Sequence, residues 1–333
     1  SVTWAASRGS AISSSQRYLL DLLLLPIVYF SVRSRAQVRW IIMAFLLGAA
    51  VSGAYGLVHP VSQTNQDYGR LAGTIGDANT EATAFVVALA LAVGLLAARD
   101  RGPKLRLFTF ACAGICVVGL LQTLSRAGLL SFAAMLVAGC VFGGRWRARA
   151  AVLLTVAVAG TAGYFLAIAP LAARQRITSQ DTSGRADIWQ VGWRMFSAHP
   201  LQGVGAGNFQ TSSIHYLVAP GAIHRADLIV NTPKVAHNIY LELLADLGVP
   251  GLLALLGVLL GALAAAARAA WLFQRSNDRE LELISRAVVL SVLAFMVADF
   301  FVSDQFSKQL WLVLALGPAV LKLAHISQAG EVV

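Results

Sequence analysis

Charge is scarce in this sequence. Only 13% of the 333 residues are Asp, Glu, Lys or Arg, about half the frequency of a soluble domain. Hydrophobic residues make up 57% and the mean hydropathy is +0.69. A soluble globule is excluded, and the class is an all-α polytopic membrane protein. Acidic residues are the scarcer sign, 16 against 26 Lys and Arg, so the net charge is +10. In a soluble protein that excess would suggest nucleic acid; here no nucleic-acid partner is expected, because membrane proteins gather Lys and Arg in cytoplasmic loops. Cysteine is nearly absent. Cys112, Cys116 and Cys140 all fall inside apolar runs, which fits packing and excludes a disulfide framework or a metal-ligand spacing. No signal peptide is visible, and neither inverted nor parallel repeats of the kind seen in many transporters are present.

What the chain does have is long apolar runs. A membrane span needs roughly 20 such residues. About nine candidates lie near 18–32, 39–58, 82–98, 107–124, 127–143, 151–170, 248–273, 287–303 and 308–324. The basic clusters Arg33/Arg35/Arg39, Arg99/Arg101/Lys104/Arg106, Arg145/Arg147/Arg149 and Arg268/Arg275/Arg279/Arg286 occupy alternate connections, which makes those the cytoplasmic ones. The loop near 59–81, the tight turn at 125–126, the stretch 171–247 and residues 304–307 then face outward. Three regions follow: helices with an outer loop over 1–170, a large outer loop with amphipathic helices over 171–247, and C-terminal helices over 248–333. This puts Ser1 outside and Val333 inside, an arrangement that missing upstream helices would explain.

Two outer arginines stand apart. Arg126, in "TLSRAGLL", lies between apolar runs, where an intramembrane charge costs at least a few kcal/mol and marks a functional site by default; snorkelling to the interface is the alternative. Arg185 opens "GRADIWQVGWRMFSA". At 100° per residue, Ile188, Trp189, Gly192, Trp193 and Phe196 share a face centred on Arg185, with Asp187, Gln190 and Arg194 opposite. The helix is expected to lie with its aromatics toward the membrane, Arg185 inward and Arg194 in solvent.

His237 follows Thr232, a helix N-cap, and Pro233, a first-turn residue, so the spacing predicts it one turn into a short helix. Tyr240, Leu241 and Leu244 share its face. Glu242 and Asp246 form a polar pair elsewhere, and Gly248 and Pro250 stop the helix. Two readings stay open: a neutral imidazole that takes a proton from an attacking hydroxyl, or a hydrogen bond bracing loop against bundle.

His237-Asn238, nine residues, then Gly248 and Gly251 resembles the signature of the O-antigen ligase superfamily. "TLSRAGLLSF", "GRLAGTIGDANTEATAF" and "GRADIWQVGWRMFSAHPLQGVGAGNF" resemble its other motifs, in the family's order, across about residues 15 to 325. The resemblance implies a membrane-embedded type C glycosyltransferase of about a dozen spans, fewer of which are present here. It moves a glycan from undecaprenyl pyrophosphate to an acceptor hydroxyl at the outer face of the bacterial cytoplasmic membrane. Besides membrane lipids, the implied partners are that donor and a lipid A core or other glycan or lipid acceptor. His237 matches the base, and Arg126 and Arg185 match the pyrophosphate-holding arginines. Arg70 falls in a less certain motif; Asn238, Gly205 and Tyr240 are further substrate-binding candidates. Gly203, Gly205 and Gly207 either admit the donor to the backbone or simply form a turn.

Displacing pyrophosphate builds charge that soluble sugar-nucleotide enzymes often meet with a metal on an Asp-x-Asp motif. None occurs in the chain, and no cofactor is implied; guanidinium groups suit phosphate oxygens directly. A polysaccharide polymerase of the same superfamily is the alternative, and a lipid-linked glycan transporter is the rival of another class. Asp299, Asp304 and Lys308 either line the acceptor side or pair with each other.

Overall fold

The computed structural model describes residues 1–59, 69–96, 102–179, 184–217, 223, 226–231 and 233–330. Among these the α-helices, in chain order, are α1 (Arg8–Leu22), α2 (Leu24–Ser31), α3 (Arg35–Val58), α4 (Ala78–Leu96), α5 (Pro103–Gln122) and α6 (Arg126–Phe142). They continue with α7 (Arg147–Gly163), α8 (Leu171–Thr178), α9 (Arg185–Ala198), α10 (Phe209–Ser212), α11 (Asp227–Val230), α12 (Ile239–Arg275), α13 (Arg279–Ala298) and α14 (Lys308–Gln328). No strand occurs among the described residues. The protein is an all-α polytopic membrane protein.

Seven stretches are long and apolar enough to span: α3, α4, α5, Gly144–Ile168 (which contains α7), α12, α13 and α14. Two of the nine expected segments fall short. α6 is apolar but has 17 residues, about 26 Å at 1.5 Å per residue against a hydrocarbon core of ~30 Å. The segment near 18–32 breaks at Leu23, between α1 and α2. Pro26 has no N–H for the Leu22 carbonyl, and its ring crowds that oxygen.

The chain forms two compact units. One comprises Leu25–Ser179, Gly261–Ala298 and Leu312–Val333. Its centre is α4, buried along nearly its whole length. Small residues let the helices close on it: a Cβ at Gly94 would lie 2.6 Å from that of Ala287 on α13, and Phe85 fills the space left by Gly53 on α3 and Gly119 on α5. In a bilayer such close packing, with interhelical hydrogen bonds, is what holds helices together. Ser131 supplies one such bond, donating to the Ala294 carbonyl at 2.7 Å. Basic clusters from three different connections meet at one end of this unit. Arg35 pairs with Asp278 at 3.3 Å, Arg39 with Glu280 at 3.6 Å, and both Arg145 and Arg286 with the buried Glu282. Arg99 and Arg101 lie outside the described residues.

The other unit comprises Ser1–Leu24, Gln180–Leu260 and Asp299–Trp311. Its core joins Ile188, Val191 and Met195 of α9 to Val204, Phe209, Ile229, Ala236 and Ala245. This corrects the place of Asp187, which was expected opposite Ile188 and Gly192 and is buried beside them. The buried face runs through Asp187, Ile188, Val191, Gly192 and Met195, whereas Trp193 is 57% exposed and packs at the surface against Phe196. Arg194 is also not simply solvated: it donates to the Tyr216 carbonyl at 3.0 Å and to that of Leu217 at 3.3 Å.

Candidate functional site

The His237 segment is built by interrupting a helix at both ends. Gly248, at φ 69° and ψ −166°, breaks α12 after its first turns, and Pro250 follows. In a continuous helix the Ala245 carbonyl would receive the Val249 N–H, and the Asp246 carbonyl would receive nothing, because Pro250 has none. The loop after α9 supplies the missing partners. Val204 N–H donates to Ala245 at 2.9 Å, Gly205 N–H to Asp246 at 2.8 Å, and Val249 N–H turns to the Pro200 carbonyl at 2.8 Å. The Asp246 side chain also accepts the Gly207 N–H at 2.7 Å. Gly203, at φ 64°, lies so close that a Cβ would overlap the Asp246 backbone. Gly205 is explained the same way, by its approach to Ala5.

At the other end, His237 is not inside a helix. It immediately precedes the N-cap Asn238, whose Oδ1 accepts the Leu241 N–H at 3.0 Å, and it holds a left-handed backbone at φ 49°. Thr232, the expected cap, lies outside the described residues. Asn is the better cap, and the left-handed His237 backbone cannot continue a helix toward Pro233. Its neighbours are clamped. Ala236 receives the Trp189 indole N–H on its carbonyl at 2.9 Å and donates its own N–H to Glu242 at 2.9 Å. Ile239 N–H is shared between the carbonyls of Asp299 and Val302, at 2.9 and 3.0 Å.

Glu242 is the residue that sequence reasoning missed. Read as half of a polar pair, it is 4% exposed, and Asp246 is 1% exposed. Besides Ala236 N–H, the Glu242 carboxylate accepts Ser303 Oγ–H at 2.5 Å and Gln305 Nε2–H at 2.6 Å. It therefore ties two segments, the one before α12 and the connection between α13 and α14, to the start of α12. The available signal was positional: an acid in the first turn of a helix, able to reach back to an orphan N–H. Tyr240 packs its ring on Phe300 at 4.6 Å between centroids. Asp299 is fully buried, and neither carboxylate oxygen has a hydrogen-bond partner among the described residues. Burial, then the Asp304 charge, hold its carboxyl well above the usual carboxylate range.

In the other unit, Arg70 and Arg126 are brought to one turn. Arg70 is 5% exposed. Its Nε donates to the Thr123 carbonyl at 2.8 Å and its Nη2 to Asn79 Oδ1 at 3.1 Å; that same oxygen accepts Ser125 Oγ–H at 2.8 Å. Leu124 is left-handed at φ 49°, and Ser125 caps α6 by accepting the Gly128 N–H at 3.1 Å. Arg70 thus braces the turn that presents Arg126. Arg126 is exposed at the first position of α6 and donates to the Ser179 carbonyl. Arg185 holds the matching place on α9, after Gly184 at φ 76°, and is half-buried. Arg185, Gly205, His237, Asn238 and Tyr240 belong to one unit, Arg70 and Arg126 to the other. No group of three or more His, Cys, Asp or Glu among the described residues is arranged to hold a metal.

A common feature emerges. Arg126 and Arg185 each begin a helix, and His237 sits two residues before a third, next to its N-cap. The positive end of a helix favours anions and disfavours a cation, so neither arginine is placed for helix stability.

The fold and these helix starts define a polytopic α-helical membrane protein with an arginine at the first position of two of its helices. Residues 111–256, somewhat under half of the chain, match the family model described as O-Antigen ligase. No curated protein matches the chain. The matched stretch holds Arg126, Arg185, Gly205, His237, Asn238 and Tyr240; Arg70 precedes it, and Asp299 and Asp304 follow. The match supports a membrane glycosyltransferase of ligase or polymerase type, with lipid-linked glycan and membrane lipid as the general partners.

Proposed function

We propose that the protein transfers a glycan from undecaprenyl pyrophosphate to an acceptor hydroxyl, with inversion at the anomeric carbon, at the outer face of the bacterial cytoplasmic membrane. The observation that carries this reading is the shared placement of Arg126, Arg185 and His237 at helix starts, within the matched stretch. The guanidinium groups of Arg126 and Arg185 bind the pyrophosphate oxygens and offset the charge that grows there as the C1–O bond breaks. His237, held as neutral imidazole, takes the proton of the attacking hydroxyl. Asn238 and Tyr240 position substrate beside it. Gly205 serves by letting its loop approach Ala5, and Arg70 serves by holding the Arg126 turn.

A polymerase performs the same chemistry with a second lipid-linked glycan as acceptor. Incubating the purified protein with an undecaprenyl-pyrophosphate glycan and either a lipid A core or more donor separates the readings. Acceptor-dependent release of free undecaprenyl pyrophosphate is expected. A transporter would release none, and that result would end the proposal.

A further inference from the structure

One apolar groove in the unit built around α4 ends in a cluster of donors that the transfer chemistry does not use. The cavity, about 270 Å³, lies between α4, α6, α7, α12 and α13, with Ala90, Gly139, Leu153 and Leu290 among its walls. Gly139 contributes depth: a bare Cβ there would sit 3.4 Å from Ala150 and 3.8 Å from Leu290, so anything larger than a methyl group would enter the groove. Trp146, Arg149 and Arg286 stand at the end where α6 gives way to α7. That is the opposite end of α6 from Arg126.

This end is one-sided in its chemistry. Trp146 Nε1–H is buried and has no acceptor among the described residues. The guanidinium of Arg149 lies 4.8 Å from the Trp146 ring centroid, and that of Arg279 4.4 Å. Residues 144–149 and 268–286 carry seven arginines and three acids. All three acids are already in ion pairs: Asp278 with Arg35, Glu280 with Arg39, and Glu282 with Arg145 and Arg286. A hydrocarbon-lined slot therefore opens onto surplus positive charge and an indole N–H that needs an acceptor.

We infer that this groove binds one anionic phospholipid. An acyl chain fills the slot, and the phosphate accepts from Trp146 N–H and pairs with Arg149. Both zwitterionic and anionic lipids carry a phosphate, but the surplus arginines select the one with net negative charge. Free phosphate has nothing to place against the apolar walls. The inference does not depend on the transfer reaction.

Native mass spectrometry of the delipidated 333-residue protein tests it, with phosphatidylglycerol and phosphatidylcholine of matched chains as probes and inorganic phosphate as control. The first phosphatidylglycerol is expected to bind at least tenfold more tightly than the first phosphatidylcholine, and phosphate is not expected to compete. Arg149→Ala should weaken phosphatidylglycerol about fivefold, the contribution of one cation at an anionic lipid, and weaken phosphatidylcholine less, because its choline offsets the phosphate charge. Gly139→Leu, which fills the slot, should remove the tight binding. Leu153→Trp, at the exposed rim, asks the same question if Gly139→Leu does not fold. Equal affinity for the two lipids would overturn the inference, as would tight phosphatidylglycerol binding that survives both Arg149→Ala and the slot-filling variant.

Discussion

Glu242→Ala is the substitution whose consequence the structure specifies most fully. The carboxylate receives three donors, Ala236 N–H, Ser303 Oγ–H and Gln305 Nε2–H, and the side chain is 4% exposed, so water does not replace it readily. Leaving a buried donor unsatisfied costs about 1–3 kcal/mol. At the low end, the loss of all three weakens the closed His237 segment by roughly 3 kcal/mol, about 150-fold in its opening equilibrium. Hydrogen exchange with peptide-level mass spectrometry over residues 233–242 reads this directly. Exchange should accelerate by about two orders of magnitude there, while α4 keeps its protection. Glu242→Gln should be much milder: its amide retains one acceptor, and Gln305 can rotate to offer the oxygen Oε1 that has no partner in the wild type. Unchanged exchange in Glu242→Ala would refute the view that this acid holds His237 in place.

Three further substitutions probe other parts of the account. Gly203→Ala places a side chain at φ 64°, costing about 1–2 kcal/mol before its overlap with the Asp246 backbone; limited proteolysis should cut residues 199–210 more readily than in the wild type, and equal resistance would contradict the docking of that loop on α12. Arg126→Lys keeps the charge but loses the fork that meets two phosphate oxygens, so kcat/KM for the lipid donor should fall about tenfold or more; wild-type kinetics would remove Arg126 from the donor site. Asp299→Asn addresses pH. Because its carboxyl is raised in the folded state, the associated stability is complete below the unfolded value of about 3.9 and is lost as pH climbs toward the folded one, by at most about 1.4 kcal/mol per pH unit. The Asn variant should therefore gain in Tm over wild type at pH 8 but not at pH 4, and a gain of the same size at both would be inconsistent with a buried, raised carboxyl.

Which parts of the molecule could be read from sequence follows from the range of the interactions involved. Apolar length is a local property, so most of the spans were legible, and the break at Gly248 and Pro250 comes from residues whose backbone limits do not depend on context; the break before Pro26 was passed over because the apolar run continues through it. The N-cap of α6 at Ser125, and with it the placing of Arg126 at a helix start, is equally local. Three features were not. Asn238 wins the cap of α12 because Ile239 N–H finds carbonyls at Asp299 and Val302, sixty or more residues away in the chain. Glu242 reads as half of a polar pair with Asp246 until Ser303 and Gln305 are seen to converge on it. Asp187 was placed on the solvent side of α9 because helical periodicity does not show which neighbours pack on each side of a helix. Arg70 carries the same lesson: a buried arginine serving carbonyls and an amide leaves no periodic signature.

The central claim is that His237 is the proton acceptor of a transfer whose donor is held by other groups. Donor binding and turnover measured side by side on purified His237→Ala test it most directly. Turnover should fall by about 10²- to 10⁴-fold while the Kd for the undecaprenyl-pyrophosphate glycan stays within about twofold of wild type. Turnover at the wild-type rate, or a donor affinity lost in step with turnover, would contradict it.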